Sequence, residues 1–76
     1  MRPAQPSETT LDILVNGERR QVAGGTTIAD LLRLYQLAAP RVAVEVNERL
    51  VRRQAFEQTP LSAGDRIEIV TLVGGG

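Results

Sequence analysis

The sequence of 76 residues contains neither cysteine nor histidine. Without cysteine there is no disulfide, no thiolate nucleophile and no thiolate ligand for zinc or an iron–sulfur cluster. Without histidine the commonest general base of enzymes is missing as well. We therefore expect a protein that is not an enzyme by itself and that binds no metal ion.

An excess of charge and long apolar segments are also missing. Nine basic residues balance nine acidic ones, so the net charge is zero, whereas proteins that bind nucleic acid or anionic lipid usually present a basic surface. The apolar runs are only a few residues long, and the first residues lack the hydrophobic stretch of a secretory signal. We expect no nucleic-acid partner, no membrane partner and a cytoplasmic location.

What the chain does contain is enough for one small folded domain, since 42% of its residues are hydrophobic. Residues 1–9 hold two prolines and no apolar periodicity, so they are predicted to form a flexible leader. The domain is predicted to span residues 10–73. Residues 74–76 are three glycines and are predicted to form a flexible tail.

Several segments of the domain show the alternation of apolar and polar residues that is typical of strands. Residues 11–15 are the first, and Asn16-Gly17 is a strong signal for a hairpin turn, so residues 19–22 are predicted to return beside them. The remaining predicted strands, in chain order, are residues 41–47, 49–52 and 66–73, and Asn47-Glu48 is predicted to form the turn between the first two of them.

A helix is predicted between the first hairpin and the later strands. Thr27 is a typical N-cap residue, and Asp30 either completes a capping box or interacts with the positive end of the helix dipole. Pro40 prevents the helix from extending much further. The apolar helix face, about two and a half turns long, has the spacing i, i+3, i+4, i+7 and consists of Ile28, Leu31, Leu32 and Tyr35.

One arrangement buries all these apolar faces together. It is an α+β fold in which a mixed sheet of four to five strands packs around one main helix, the β-grasp or ubiquitin-like fold. The last predicted strand is the longest β-branched run in the chain and is expected near the centre of the sheet.

The last strand divides its side chains between two faces. Val70 and Leu72 are predicted to lie on the outer face beside the tail, where they are either ordinary surface residues or a docking site for a partner. Leu14 and Phe56 belong either to the same patch or to the core. The positions predicted to face the core are Ile67, Ile69 and Thr71.

The terminal glycines allow two interpretations. A glycine run at a chain end is typical of a frayed terminus or a cloning remnant. Alternatively, Gly74 and Gly75 lack a Cβ and can thread a narrow active site of a partner, placing the carboxylate of Gly76 roughly 10 Å beyond the last strand. That carboxylate is ionised at neutral pH and can attack a phosphate, but it accepts other nucleophiles poorly until it is activated.

Over residues 11–76 the sequence resembles the ThiS family, the sulfur carriers of thiamine (thiazole) biosynthesis. The segments that carry the resemblance are residues 13–17, residues 42–47 with Val51 and Arg53, Leu61 with residues 64–70, and Gly75-Gly76. Residues 1–10 and the third glycine depart from the family pattern.

The resemblance implies that an adenylyltransferase similar to ubiquitin-activating enzymes adenylates Gly76 with ATP. Sulfur from a persulfide donor, such as a cysteine desulfurase, would then convert the carboxylate into a thiocarboxylate, which thiazole synthase would use. In this scheme the chain has no cofactor of its own and is a regenerated co-substrate.

Two other functions stay open. The small subunit of molybdopterin synthase also carries sulfur on a terminal Gly-Gly, although such subunits often show a pair of prolines where this chain has residues 71–74, Thr-Leu-Val-Gly. A ubiquitin-like modifier would instead be joined through Gly76 to lysines of target proteins.

Overall fold

The structure, a computed structural model, describes residues 10–72 of the chain. Within that range it contains five strands and one α-helix, α1. Two short 3₁₀ helices, Ala39–Arg41 and Arg53–Gln58, precede the third strand and follow the fourth. In chain order the elements are β1 (Thr10–Val15), β2 (Glu18–Ala23), α1 (Ile28–Leu34), β3 (Val42–Val46), β4 (Arg49–Val51) and β5 (Arg66–Thr71).

The strands form a mixed sheet in the order β2-β1-β5-β3-β4. β5 is parallel to β1 and antiparallel to β3, and the other pairs are antiparallel. The predicted mixed sheet with its last strand at the centre is therefore confirmed. The predicted leader at residues 1–9 and the predicted tail at residues 74–76 lie outside the described residues.

Two-residue turns connect both antiparallel hairpins, as predicted. Asn16 and Gly17 have φ values of 52° and 84°, and Asn47 and Glu48 have 53° and 71°. Positive φ at both central residues is the condition for the turn that matches the twist of a hairpin. Glu48 is an unusual residue at such a position, because its Cβ opposes the left-handed conformation.

The capping box at the start of α1 is confirmed. The Asp30 N–H donates to the Thr27 hydroxyl at 3.1 Å, and the Thr27 N–H donates to the Asp30 carboxylate at 3.1 Å. The contacts with the backbone and side chain of Thr27, aided by the charge of Arg33, hold the pKa of the Asp30 carboxyl below its usual value.

The helix ends earlier than the sequence predicted, and for another reason. Gln36 adopts the left-handed conformation with φ 59°, and the N–H of Leu37 donates to the carbonyl of Leu32 at 2.9 Å. This is a Schellman motif, which closes a helix without proline. Tyr35 is the C-cap residue rather than part of the helix, and Pro40 lies later, in the first 3₁₀ helix.

The core lies between α1 and the inner face of the sheet. Phe56, in the second 3₁₀ helix, is only 3% exposed and belongs to the core and not to a surface patch. The buried residues are Ile13, Val15, Val22, Ile28, Leu31, Leu32, Val42, Val44, Phe56, Leu61, Ile67 and Ile69.

Candidate functional site

The glycines predicted to act chemically, Gly74, Gly75 and Gly76, lie outside the described residues, so their roles stay predictions. Leu72 is the last described residue, and its N–H donates to the carbonyl of Arg41 at 2.7 Å. The chain therefore enters the tail from a segment whose backbone is still hydrogen-bonded to the start of β3.

The outer face of the sheet beside this exit is apolar, as predicted from β5. Val70 is 56% exposed and Leu72 is 49% exposed. Ala43 of β3 is the direct neighbour of Val70 in the sheet register. Thr71 was predicted to face the core, but its side chain is exposed because it lies beyond Ile69, the last buried residue of the strand.

Leu50 of β4 also belongs to this surface, and sequence reasoning missed it. Its side chain is 68% exposed, and together with Ala43 and Leu72 it lines a shallow depression of about 290 Å³. We call the surface formed by Ala43, Leu50, Val70 and Leu72 the apolar face. Side chains of this kind, gathered beside a reactive terminus, are suited to contact with another protein.

A signal for Leu50 is present in the sequence. A two-residue turn at Asn47-Glu48 pairs Val46 with Arg49 and Glu45 with Leu50. Because Val46 faces the core, Glu45 next to it faces outward, and so does Leu50, the cross-strand partner of Glu45. The alternation that places Val70 and Leu72 on the outer face therefore places Leu50 there too, once it is extended to β4.

Leu14 lies on the outer face but apart from the apolar face. It is 37% exposed and pairs in register with Arg66, four residues before Val70. Four residues of a strand span about 13 Å. The alternative that Leu14 joins Val70 and Leu72 in one patch is therefore wrong.

Charged residues cover the outer face at the start of β5. Glu45 and Glu68 are direct neighbours across β3 and β5, and a guanidinium nitrogen of Arg66 lies 3.9 Å from the Glu48 carboxylate. These four exposed side chains line a shallow depression of about 200 Å³. Opposed carboxylates are unfavourable in a sheet unless solvent or a counter-charge screens them. The outer face thus has a charged half and an apolar half, and the apolar half adjoins the tail.

The described part of the chain contains neither a metal-binding cluster nor a membrane-spanning helix. Among residues 10–72, no group of three or more His, Cys, Asp or Glu side chains is placed to hold a metal ion. No helix in the same range is long and apolar enough to cross a membrane. What these residues do offer is a contact surface next to the chain segment that leads into the glycines.

Comparison with known proteins identifies the relatives of the chain. It is 44% identical over 50 residues to the sulfur carrier protein ThiS of Bacillus subtilis, covering 66% of this chain and 76% of that protein. It is 33% identical over 66 residues to a thiazole synthase of Paramagnetospirillum magneticum, covering 87% of this chain but only 20% of the synthase. The chain thus spans about a fifth of the synthase's length.

A solved structure and a family profile agree with these relatives. The crystal structure of the thiamine biosynthesis protein ThiS from Geobacter metallireducens is similar with a TM-score of 0.71 and 33% identity, covering 87% of this chain and 100% of that one. The profile of the ThiS family matches residues 13–76, which include β1 from Ile13, the apolar face and all three terminal glycines. The chain therefore belongs to the ThiS family.

Proposed function

We propose that this chain is a sulfur carrier of thiamine biosynthesis and that the carboxylate of Gly76 carries the sulfur as a thiocarboxylate. The proposal is supported above all by the match to the ThiS family, which extends as far as Gly76. The sulfur carrier protein ThiS of B. subtilis is among the relatives of the chain. The chain itself lacks cysteine and histidine, so we assign the chemistry of activation to other proteins and regard this chain as their co-substrate.

The proposed chemistry begins at the carboxylate of Gly76. Its oxygen attacks the α-phosphate of ATP in the site of an adenylyltransferase similar to ubiquitin-activating enzymes, and pyrophosphate leaves. The resulting acyl adenylate is attacked by the terminal sulfur of a persulfide, supplied by a donor such as a cysteine desulfurase, and AMP leaves. A second thiol then attacks the donor's own sulfur in the sulfur–sulfur bond, forms a disulfide with it and releases the thiocarboxylate on Gly76. ATP is a substrate of the activating enzyme, and no resident cofactor is assigned to this chain.

The fold supports this role through what it places beside the tail. β5 lies at the centre of the sheet, so the segment leading to Gly76 follows a strand that is paired with β1 near its start and with β3 as far as Thr71. The apolar face lies at the end of β5 that leads to the tail. A partner that binds Val70, Leu72 and Leu50 would therefore hold the domain while the tail enters its active site.

Thiazole synthase is the proposed acceptor of the sulfur. In two thiazole synthases, those of P. magneticum and Magnetococcus marinus, a segment similar to this chain makes up 20% of the protein. A carrier-like segment and a synthase in one polypeptide are consistent with direct transfer between them. We place the carrier in the cytoplasm, with these enzymes.

Intact-protein mass spectrometry tests the proposal. The purified chain is incubated with ATP, a persulfide donor and the activating enzyme of the same organism, with the chain lacking residues 74–76 as a control. We expect the wild-type mass to rise by the difference between one sulfur and one oxygen atom, and the shortened chain to stay unchanged. If the same enzyme and donor convert a known ThiS protein to its thiocarboxylate but leave the wild-type mass of this chain unchanged, the proposal is wrong.

Acceptor assays distinguish the two alternatives. Transfer of the sulfur to a molybdopterin precursor, and not to the product of thiazole synthase, would favour the subunit of molybdopterin synthase. Conjugates in which Gly76 is linked to lysine side chains of other proteins would favour a modifier. The thiamine-related names of the relatives favour the thiazole acceptor.

A further inference from the structure

β5 loses one of its neighbouring strands partway along its length. Near its start, Ile67 lies between Val15 of β1 and Val46 of β3. β1 ends at Val15, whereas β3 accompanies β5 as far as the pair Val42 and Thr71. Among the described residues, the last part of β5 therefore has a strand beside it only on the β3 side.

The side chain of Asn16 replaces the missing neighbour. Its Oδ1 accepts a hydrogen bond from the N–H of Ile69 at 2.7 Å, and its Nδ2 donates to the carbonyl of the same residue at 3.2 Å. A carboxamide has the donor and acceptor of a peptide group. It thus continues the ladder of β1 by one step, after the backbone hydrogen bond from the Asn16 N–H to the Ile67 carbonyl at 2.8 Å.

We propose that Asn16 is a positioning residue for the tail. By holding Ile69 on the side that β1 has left, it sets the direction in which β5 delivers residues 73–76 to a partner. Only Val70, Thr71 and Leu72 separate Ile69 from that segment. The inference rests on the proposed function, since the direction of the tail matters only if Gly76 must reach a reacting group.

Asn47 offers a matched control at the opposite end of β5. Its φ is 53°, close to the 52° of Asn16. Its Oδ1 accepts a hydrogen bond from the N–H of Arg66 at 3.0 Å, and its Nδ2 donates to the Asp65 carboxylate at 3.0 Å. Each asparagine therefore occupies the same position of a hairpin turn and holds one end of β5, but only Asn16 holds the end next to the tail.

The test compares Asn16→Gly with Asn47→Gly in the full chain, since glycine keeps the positive φ of each turn. With the activating enzyme and ATP, we expect Asn16→Gly to lower kcat for adenylation of the carrier by about tenfold to a hundredfold, with KM little changed because the apolar face remains. Asn47→Gly should leave both near the wild-type values. Asn16→Asp, which keeps the acceptor for the Ile69 N–H but lacks the donor, should fall between Asn16→Gly and wild type.

Amide hydrogen exchange provides a readout that needs no enzyme. Asn16→Gly should accelerate exchange of the Ile69 amide, and Asn47→Gly that of the Arg66 amide. Equal kcat for the two glycine variants, or unchanged exchange at Ile69 in Asn16→Gly, would overturn the positioning role. Failure of the wild-type chain to be adenylated would overturn the proposed function instead, and the exchange measurement would still decide whether Asn16 holds Ile69.

Discussion

The two halves of β5 differ in what surrounds them. The first half, around Ile67, has β1 on one side and β3 on the other, and its outward side chains, Arg66 and Glu68, are charged. The second half has β3 on one side and the side chain of Asn16 on the other, and its outward side chain, Val70, is apolar and exposed. The same strand thus begins as the centre of the sheet and ends as a surface element.

This difference separates stability from recognition along one strand. The first half contributes buried area and two neighbouring backbones, which stabilise the fold. The second half exposes apolar area that costs free energy in water, and this cost is recovered when a partner covers it. If the chain visits several enzymes as we propose, it needs both properties within a few residues, so that the tail follows a supported strand and lies next to a binding surface.

The largest expected effect compares a buried residue in the first half of β5 with an exposed residue in the second half. Ile67 is 1% exposed, and Ile67→Ala should lower the free energy of unfolding by about 2–5 kcal/mol. For a domain of this size the whole free energy of unfolding is only about 4–11 kcal/mol. Val70 is 56% exposed, and Val70→Ala should change the free energy of unfolding by no more than about 0.5 kcal/mol. Urea denaturation measures both changes, and similar losses would contradict the assignment of Ile67 to the core and of Val70 to the surface.

The next effect concerns binding to the activating enzyme. Leu50→Arg places a charge in the apolar face, opposite Glu45 and therefore without cross-strand repulsion, and should weaken binding about tenfold or more, the usual consequence of losing a central contact. Leu34→Arg is the matched control, because Leu34 is also 68% exposed but lies on α1. Both variants carry the same added charge. Isothermal titration calorimetry measures the affinities, and equal weakening by the two variants would rule out the apolar face as the docking surface.

The two hairpin turns give a smaller effect, of opposite sign at the two ends of β5. Gly17 has φ 84°, and Gly17→Ala should destabilise the fold by about 1 kcal/mol because a Cβ opposes the left-handed conformation. Glu48 already has φ 71°, so Glu48→Gly should stabilise the fold by up to about 1 kcal/mol. Its exposed 3.9 Å ion pair with Arg66 offsets little of this gain. The melting temperatures of the two variants measure both effects, and shifts of the same sign would contradict this explanation.

The smallest effect lies outside β5 and depends on pH. The pKa of Asp30 is lowered in the folded chain, chiefly by the backbone N–H of Thr27. Its stabilising contribution is therefore complete above the usual pKa of 3.8 and is lost as the pH falls through the lower folded value. Asp30→Asn should lower the melting temperature at neutral pH, and the difference from wild type should shrink in acid. A difference that persists unchanged into strong acid would show that charge is not its cause.

Much of the fold could be predicted because its signals are local. Residues only a few positions apart specify the two hairpin turns, at Asn16-Gly17 and Asn47-Glu48, and the helix cap at Thr27. The exact end of α1 could not be predicted beyond the limit set by Pro40, because a left-handed Gln36 is not marked by glycine or asparagine. Phe56 could not be assigned from spacing, since its burial depends on how a connecting segment folds back over the sheet.

The candidate site divides in the same way. Val70 and Leu72 follow from the period of two in a strand, and Leu50 follows once the turn register is used. That Leu50 and Leu72 line one depression depends on β4 and the end of β5 lying on either side of β3. The position of Leu14 outside the apolar face likewise depends on the register of β1 and β5, which no local pattern specifies.

By itself, the sequence determined the strands, the helix start, the hairpin turns and the outward direction of Val70 and Leu72, because each depends on contacts between near neighbours and on the pitch of the chain. Only the tertiary structure decided the strand order, the assembly of the apolar face and the bonds from Asn16 to Ile69, 53 residues apart. Such contacts form where distant segments meet, and the energy that selects them comes from burying the whole core at once.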